Sequence, residues 1–269
     1  MASGWQGGER RLVDVGLFLL WLGLLVGSYL PMAEAARTPL RLGSSLTLVL
    51  VAARAWYGQR GQPGQGLLLG VAVGMALGCV GDFAMAGLLK WLIRSSVLGG
   101  MLFFGLGHLA YVAGIGVAAP WAPRRVGRNW GLAVLAWQGV NLAAWLAFVY
   151  PASRHGDLIW PALGYGSLLA GTAGLASGLA LAVPRCVPIA VGAALFLFSD
   201  LMIAVRLFAE QSWADPLVWA TYGPGQMLIV FGAALAVRGG PLAERGKAVA
   251  KAGDGAETPG AAGRGETQR

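Results

Sequence analysis

Apolar residues occur along this chain in eight blocks, most of them close to the twenty or so residues that a helix needs to cross the hydrocarbon core of a bilayer. Short segments rich in Pro, Gly, Arg and Asp separate the blocks, as is typical of loops. The pattern predicts an all-α fold, a polytopic membrane helix bundle with eight transmembrane helices. The predicted spans cover residues 12–31, 41–57, 66–88, 96–118, 130–149, 158–183, 187–209 and 217–237.

The chain divides into one apolar region and a polar tail. Residues 1–237 form the predicted eight-helix transmembrane domain, and residues 238–269 have no apolar period, which predicts a disordered basic tail. The first block also resembles a signal peptide, because small residues follow it, but its apolar core is long for that role. We therefore expect it to stay in the protein as a helix.

Basic residues are unevenly distributed between the two predicted faces of the membrane. The side that carries both termini holds 14 Lys and Arg residues, and the other side holds 6. The positive-inside rule then predicts that both termini are cytoplasmic in a multi-pass protein of the cell membrane. The net charge of +8 is mostly this topology signal, and it favours anionic lipid rather than nucleic acid as a partner.

Composition narrows the possible function classes. Hydrophobic residues make up 57% of the chain and charged residues 12%, about half the charged share of a soluble domain. The motifs of serine hydrolases, zinc peptidases, P-loop proteins and dinucleotide-binding proteins are all missing from the sequence. The two cysteines, Cys79 and Cys186, indicate neither a disulfide framework nor a metal site. We expect no metal and no cofactor.

Two carboxylates lie well inside the apolar blocks, Asp82 in "CVGDFAMAG" and Asp200 in "LFSDLMIA". A carboxylate at the membrane centre costs at least about 2.5–3.5 kcal/mol on insertion scales, so it usually faces the bundle interior and usually serves a function. The alternative is a protonated or hydrogen-bonded Asp that only holds helices together.

Other polar side chains lie in the fourth and eighth blocks. Helical spacing places His108 on one face with Phe104 and Tyr111, where it is either a catalytic group or a histidine satisfied by its neighbours. Tyr222 and Gln226 share a face of the eighth block, and as an isolated pair they favour packing and hydrogen bonding. Pro224 between them is expected to weaken that helix and free carbonyl groups. The signal from Asn141 and Tyr165 is weaker.

Four of these motifs together resemble one known family. In order and spacing, "GDFAMA", "FFGLGHLAY", "FLFSDLMIA" and "YGPGQMLI" on the third, fourth, seventh and eighth blocks resemble the YhhN family of membrane lysoplasmalogenases, over roughly residues 12–237. The resemblance also implies eight helices and a catalytic transmembrane domain. It implies hydrolysis of the vinyl ether bond of a lysoplasmalogen, which gives a fatty aldehyde and a glycerophospho-base.

This implied reaction gives the polar residues roles. One carboxyl must protonate the alkene, and the other must stay ionised to stabilise an oxocarbenium ion, as two carboxyls in unlike environments do in glycosidases. The residues implied to be catalytic are Asp82, Asp200 and His108, and those implied to bind substrate are Tyr111, Tyr222 and Gln226. The apolar residues before Asp200 favour it as the protonated acid, because low dielectric disfavours the ionised form.

Arg206 is a further candidate, because it interrupts an apolar run two turns beyond Asp200. We expect it to contact the phosphate of a lysophospholipid, with choline and ethanolamine headgroups both compatible. The alternative is an ordinary arginine at a helix end whose charge reaches the membrane surface.

Two other functions fit the same residues. A proton-coupled transporter of small solutes would use intramembrane Asp and His residues as proton carriers, although no paired halves are visible in the sequence. A non-catalytic scaffold would leave both carboxylates without a task.

Overall fold

The computed structural model describes residues 2–118, 126–152 and 156–238, and within these ranges it contains eight long helices and no strand. The helices are α1 (Ala2–Gly27), α2 (Glu34–Gly58), α3 (Gln65–Met85), α4 (Ser96–Ala118), α5 (Val126–Ala144), α6 (Gly156–Ala182), α7 (Val187–Phe208) and α8 (Asp215–Val237). A π-helical turn, Trp145–Val149, continues α5. The predicted all-α fold is therefore confirmed.

Six of the described helical segments are long and apolar enough to cross a membrane. They are Gln65–Met85, Ser96–Ala118, Asn129–Val149, Gly156–Ala182, Pro184–Phe208 and Ser212–Val237. The chain is thus a multi-pass membrane protein by length and composition. The count of eight spans and the cytoplasmic termini stay predictions, and nearly all of the predicted tail, residues 238–269, lies outside the described residues.

The helices pack mainly as sequence neighbours. The α3 helix lies along α4, α5 along α6, and α7 along α8, while α6 also contacts α4 and α7. Of the six candidate spans, the one formed by α5 and its π-helical turn is the least buried. Large apolar side chains such as Leu135, Leu109 and Leu181 are exposed on the outside of the bundle, as expected of a surface that faces hydrocarbon.

Glycines bring two of these helix pairs into backbone contact. A Cβ atom on Gly70 of α3 would lie 2.6 Å from the Ala110 carbonyl oxygen of α4, and one on Gly107 of α4 would lie 2.8 Å from the Gly74 oxygen. Between α7 and α8, a Cβ on Gly192 would lie 2.5 Å from the Gly225 oxygen. Small residues at such contacts are a common means of packing helices in membranes. These contacts fix α3 against α4 and α7 against α8.

Gly107→Ala is expected to lower the stability of the protein, because the new methyl group meets the backbone of α3. Forcing extra volume into a packed contact costs about 1–3 kcal/mol. Gly116→Ala is the matched control on the same helix, since a Cβ there meets no atom within 4 Å. Thermal unfolding in detergent should show a lower Tm for Gly107→Ala alone. Equal Tm values for the two variants would contradict the close contact between α3 and α4.

Candidate active site

A cavity of about 600 Å³ lies at one end of the bundle and is lined by both polar and apolar residues. Its wall comes from the connection after α1, the start of α2, the ends of α3 and α7, and the start of α8. We call it the polar cavity, and the lining side chains that matter below are Arg37, Arg41, Asp82, Asp200, Arg206 and Tyr222. The two carboxylates singled out in the sequence therefore face a common space.

Asp82 lies in the last turn of α3. The helix ends at Met85, and Gly87 then takes a left-handed φ of 77°, a conformation that glycine adopts without strain. Only 6% of Asp82 is exposed. The hydroxyls of Ser45 and Tyr222 lie near its carboxyl group. Within the described residues, however, its Oδ2 atom has no partner that meets hydrogen-bond geometry.

Asp200 lies in α7 and is half-buried. The hydroxyl of Tyr165 on α6 donates a short hydrogen bond to its Oδ2 atom. The Ser199 hydroxyl lies 3.4 Å from Oδ1, but its one proton has a closer acceptor in the Phe196 carbonyl oxygen, at 2.7 Å. Tyr165 is thus the main donor to this carboxyl, although its sequence signal is weak.

The two carboxyls differ in environment and lack cationic partners. Asp82 is close enough to Asp200 for their charges to interact. No Lys or Arg of the described part of the chain lies within ion-pair distance of either one. A neighbouring carboxylate and a low-dielectric environment both disfavour two simultaneous negative charges. The pair is therefore suited to a state in which one carboxyl is neutral and the other is ionised.

Tyr222 and Gln226 form a buried pair on α8. Gln226 Nε2 donates a hydrogen bond to the Tyr222 oxygen, which leaves the phenol proton of Tyr222 available to Asp82. Tyr222 lines the polar cavity, whereas Gln226 does not. The expected weakening of the helix at Pro224 is not observed, because α8 runs without interruption from Asp215 to Val237.

His108 is buried behind the polar cavity and is not among its lining residues. Its Nδ1 atom lies 3.0 Å from the Thr172 hydroxyl, whose own proton goes to the Leu168 carbonyl oxygen. The histidine must then donate from Nδ1, so Nε2 is the atom without a proton. The ring packs edge-on against Phe196 at 4.6 Å and Tyr111 at 5.4 Å between centroids.

Charged side chains surround the mouth of the polar cavity. Arg37 and Arg41 on α2 contact Glu34 at 2.9 and 3.4 Å, and Arg206 contacts Asp215 at 3.2 Å. These groups alternate in sign and include more positive than negative charge. The arrangement can hold a phosphate together with a smaller cationic group.

Arg41 is the most enclosed of these arginines. Its side chain is 20% exposed, against 45% for Arg206. Its guanidinium lies 5.0 Å from the centroid of the Trp219 ring, and its Nε is buried without a hydrogen-bond partner among the described residues. The sequence pattern predicts a phosphate contact for Arg206 and not for Arg37 or Arg41. Their spacing of four residues, which places both on one helix face, is the signal that could have found them.

Comparison with known proteins gives one match. The model of the YhhN family matches residues 41–233, which is more than half of the chain. The matched range contains all seven candidate site residues of the sequence analysis and begins at Arg41. No curated protein and no solved structure matches the chain significantly.

Proposed function

Because this chain belongs to the YhhN family, we propose that it is a membrane lysoplasmalogenase, a hydrolase that cleaves the vinyl ether bond of lysoplasmalogens. The observation that supports this most is the convergence of Asp82 and Asp200, from α3 and α7, on one polar cavity. Two intramembrane carboxyls that share a cavity and have no cationic partner among the described residues suit acid–base chemistry better than structural pairing.

The reaction takes place in three steps. A carboxylic acid transfers its proton to the outer alkene carbon, and the electron pair of the double bond forms the new carbon–hydrogen bond. The resulting oxocarbenium ion is attacked by water, which gives up a proton to the ionised carboxylate, and this proton returns to the carboxyl that donated the first one before the next turnover. The hemiacetal then collapses to a fatty aldehyde and the free hydroxyl of the glycerophospho-base, and atoms and charge balance without a cofactor.

The hydrogen bonds favour Asp82 as the proton donor and Asp200 as the carboxylate. Asp200 accepts a hydrogen bond from Tyr165, which is what an ionised carboxylate requires. Asp82 has a buried oxygen without a donor in the described residues, and this suits a neutral acid that still holds its proton. The sequence favours the opposite assignment, with Asp200 as the protonated acid, because apolar residues precede it.

The other candidate site residues orient the carboxyls or bind the lipid headgroup. Tyr222, held by Gln226, orients Asp82, and His108 and Tyr111 position the aromatic wall from behind. Arg41 and Arg206 contact the phosphate at the mouth of the cavity. The charged nitrogen of choline or ethanolamine then lies towards Glu34 or Asp215, so either headgroup fits.

The full chain, purified in detergent, is expected to release aldehyde from an alkenyl lysophospholipid and none from the corresponding saturated alkyl ether. In deuterium oxide, the aldehyde should carry one deuterium on the carbon next to the carbonyl, because that carbon receives the catalytic proton. Immediate reduction to the alcohol preserves the label for mass spectrometry. Absence of aldehyde would contradict the proposal and would favour the proton-coupled transporter instead.

A further inference from the structure

A second cavity, of about 430 Å³, lies on the other side of Asp200. It is bounded by α5 with its π-helical turn, α6, α7 and the start of α4. We call it the apolar cleft, and the lining residues used below are Val140, Ala144, Leu169, Val191, Ala194 and Phe198. Among the described residues, Asp200 and Ile203 are the two that line both the apolar cleft and the polar cavity. The cleft and the candidate active site therefore share a wall that includes one of the two carboxyls.

The side-chain hydrogen-bond donors in the described wall of the cleft are already engaged by the protein. Tyr165 donates to Asp200, and Asn141 donates to the Ser167 hydroxyl at 3.3 Å. The indole nitrogen of Trp145 donates to a backbone carbonyl oxygen at 2.9 Å. What remains towards the interior of the cleft is hydrocarbon surface. Its volume lies within the range of about 300–1,000 Å³ that is usual for small-molecule sites.

The cleft opens towards the surface of the bundle that faces hydrocarbon. Val140, Val191 and Phe198 line it and are 50%, 45% and 41% exposed, and all three lie in candidate membrane spans. The π-helical turn lies in this wall, with Trp145 and Val149 both lining the cleft. Such turns in α-helices are frequent at functional sites. A hydrocarbon chain can thus reach Asp200 from the bilayer without crossing the polar cavity.

We propose that the apolar cleft holds the hydrocarbon chain of the lysolipid whose headgroup occupies the polar cavity, and that the aldehyde product leaves through it into the bilayer. The vinyl ether joins chain and headgroup, and the shared wall at Asp200 places that bond beside the carboxyl. The identity of the reaction rests on the proposed function, whereas chain binding in the cleft does not.

A chain that moves from the bilayer into the cleft exchanges one hydrocarbon environment for another, so the cleft contributes orientation more than affinity. Filling the cleft should therefore penalise long chains, which must enter it, and spare short chains. Ala144→Phe and Ala194→Phe each add a ring to the wall of the cleft, from α5 and from α7. Ala143→Phe is the matched control, because Ala143 is the exposed neighbour of Ala144 and does not line the cleft.

We expect each cleft variant to lower kcat/KM for a hexadecenyl lysolipid about tenfold or more, and to change it less than about twofold for a hexenyl analogue. Ala143→Phe should behave as the unsubstituted protein with both substrates, and Tm in detergent checks that all variants fold. Equal losses with both chain lengths, or the same loss in Ala143→Phe, would overturn the proposal.

A photolabelling experiment tests the cleft without the reaction. A saturated alkyl ether lysophosphatidylcholine with a diazirine in its chain should label residues of the cleft such as Leu169 and Phe198, and unlabelled long-chain lysolipid should compete. A two-chain phosphatidylcholine with the same diazirine reports ordinary lipid contact. If unlabelled lysolipid reduces labelling in the cleft but the protein produces no aldehyde, chain binding in the cleft stands and the proposed function is wrong. Labels that are spread evenly over the bundle surface, and that unlabelled lysolipid does not reduce, would contradict chain binding in the cleft.

Discussion

Asp82→Asn and Asp200→Asn are each expected to reduce aldehyde release from lysoplasmalogen by about 10²–10⁴-fold, the usual contribution of a positioned general acid or base. The amide keeps the size of the side chain but neither holds a transferable proton at neutral pH nor carries a negative charge. Both residues line the polar cavity, so each loss acts on the bond being cleaved. The measurement is aldehyde release by the purified variants in detergent.

Asp157→Asn is the control for this pair, because Asp157 is an exposed carboxyl in the first turn of α6 and lines neither cavity. Its activity should equal that of the unsubstituted protein. Near-normal activity in either Asp82→Asn or Asp200→Asn would make that carboxyl structural and remove the two-carboxyl mechanism.

The pH dependence of the residual activity separates the two roles. A general acid must be protonated, so it produces the loss of rate at alkaline pH, and a general base produces the loss at acid pH. With Asp82 as the donor, Asp82→Asn should lose the alkaline limb of the kcat profile. Asp200→Asn should lose the acid limb. The opposite pattern would restore the assignment that the sequence favoured.

Hydropathy was sufficient to predict the last six helices and insufficient to predict where the first two begin. The predicted spans from residue 66 onwards agree with the described helices within a few residues, because apolar blocks end where the helices end. The α2 helix instead begins at Glu34, seven residues before the predicted span. Its first two turns carry Glu34, Arg37 and Arg41. A prediction based on apolar content alone assigns such a charged segment to a loop.

Hydropathy also explains why some site residues are visible in the sequence and others are not. Asp82 and Asp200 are conspicuous because each follows a run without a charged residue, residues 61–81 and 186–199. Arg41 and Tyr165 gain their meaning from contacts with Trp219 on α8 and Asp200 on α7, which are far away in the sequence. The spacing of Arg37 and Arg41 marks a basic face of α2, but no pattern within a single helix identifies the partner on another helix, so only the packed bundle shows these contacts.

Half of the basic residues on the predicted outer side lie at the end of the bundle that holds the polar cavity. The predicted outer side carries 6 of the 20 basic residues, and three of them, Arg37, Arg41 and Arg206, line the polar cavity. Basic residues on this side work against the predicted orientation. A binding role gives a physical reason for their position, since a phosphate that enters from the membrane surface needs cations beside the carboxyls.

Arg41→Gln is expected to raise KM for lysoplasmalogen by about tenfold to a hundredfold, with a smaller change in kcat. Hydrogen bonds to charged groups contribute about 1.5–3 kcal/mol, and 1.4 kcal/mol corresponds to about a factor of ten. Arg41 is the arginine most able to deliver this, because it is enclosed against Trp219 and has a buried Nε without a partner in the described residues. Initial rates across a range of substrate concentrations measure the effect.

Two further variants show whether the rise in KM comes from a lost contact between Arg41 and the phosphate. Arg206→Gln should raise KM only about twofold to threefold, because Arg206 is half exposed and water screens such a charge. Arg54→Gln, on the part of α2 remote from the cavity, should leave KM unchanged. If Arg41 only held the start of α2 through Glu34, its loss would lower Tm and kcat together. A phosphate contact instead predicts weaker inhibition by the glycerophospho-base product and partial recovery of KM in Arg41→Lys, since lysine keeps the charge but not the bidentate geometry.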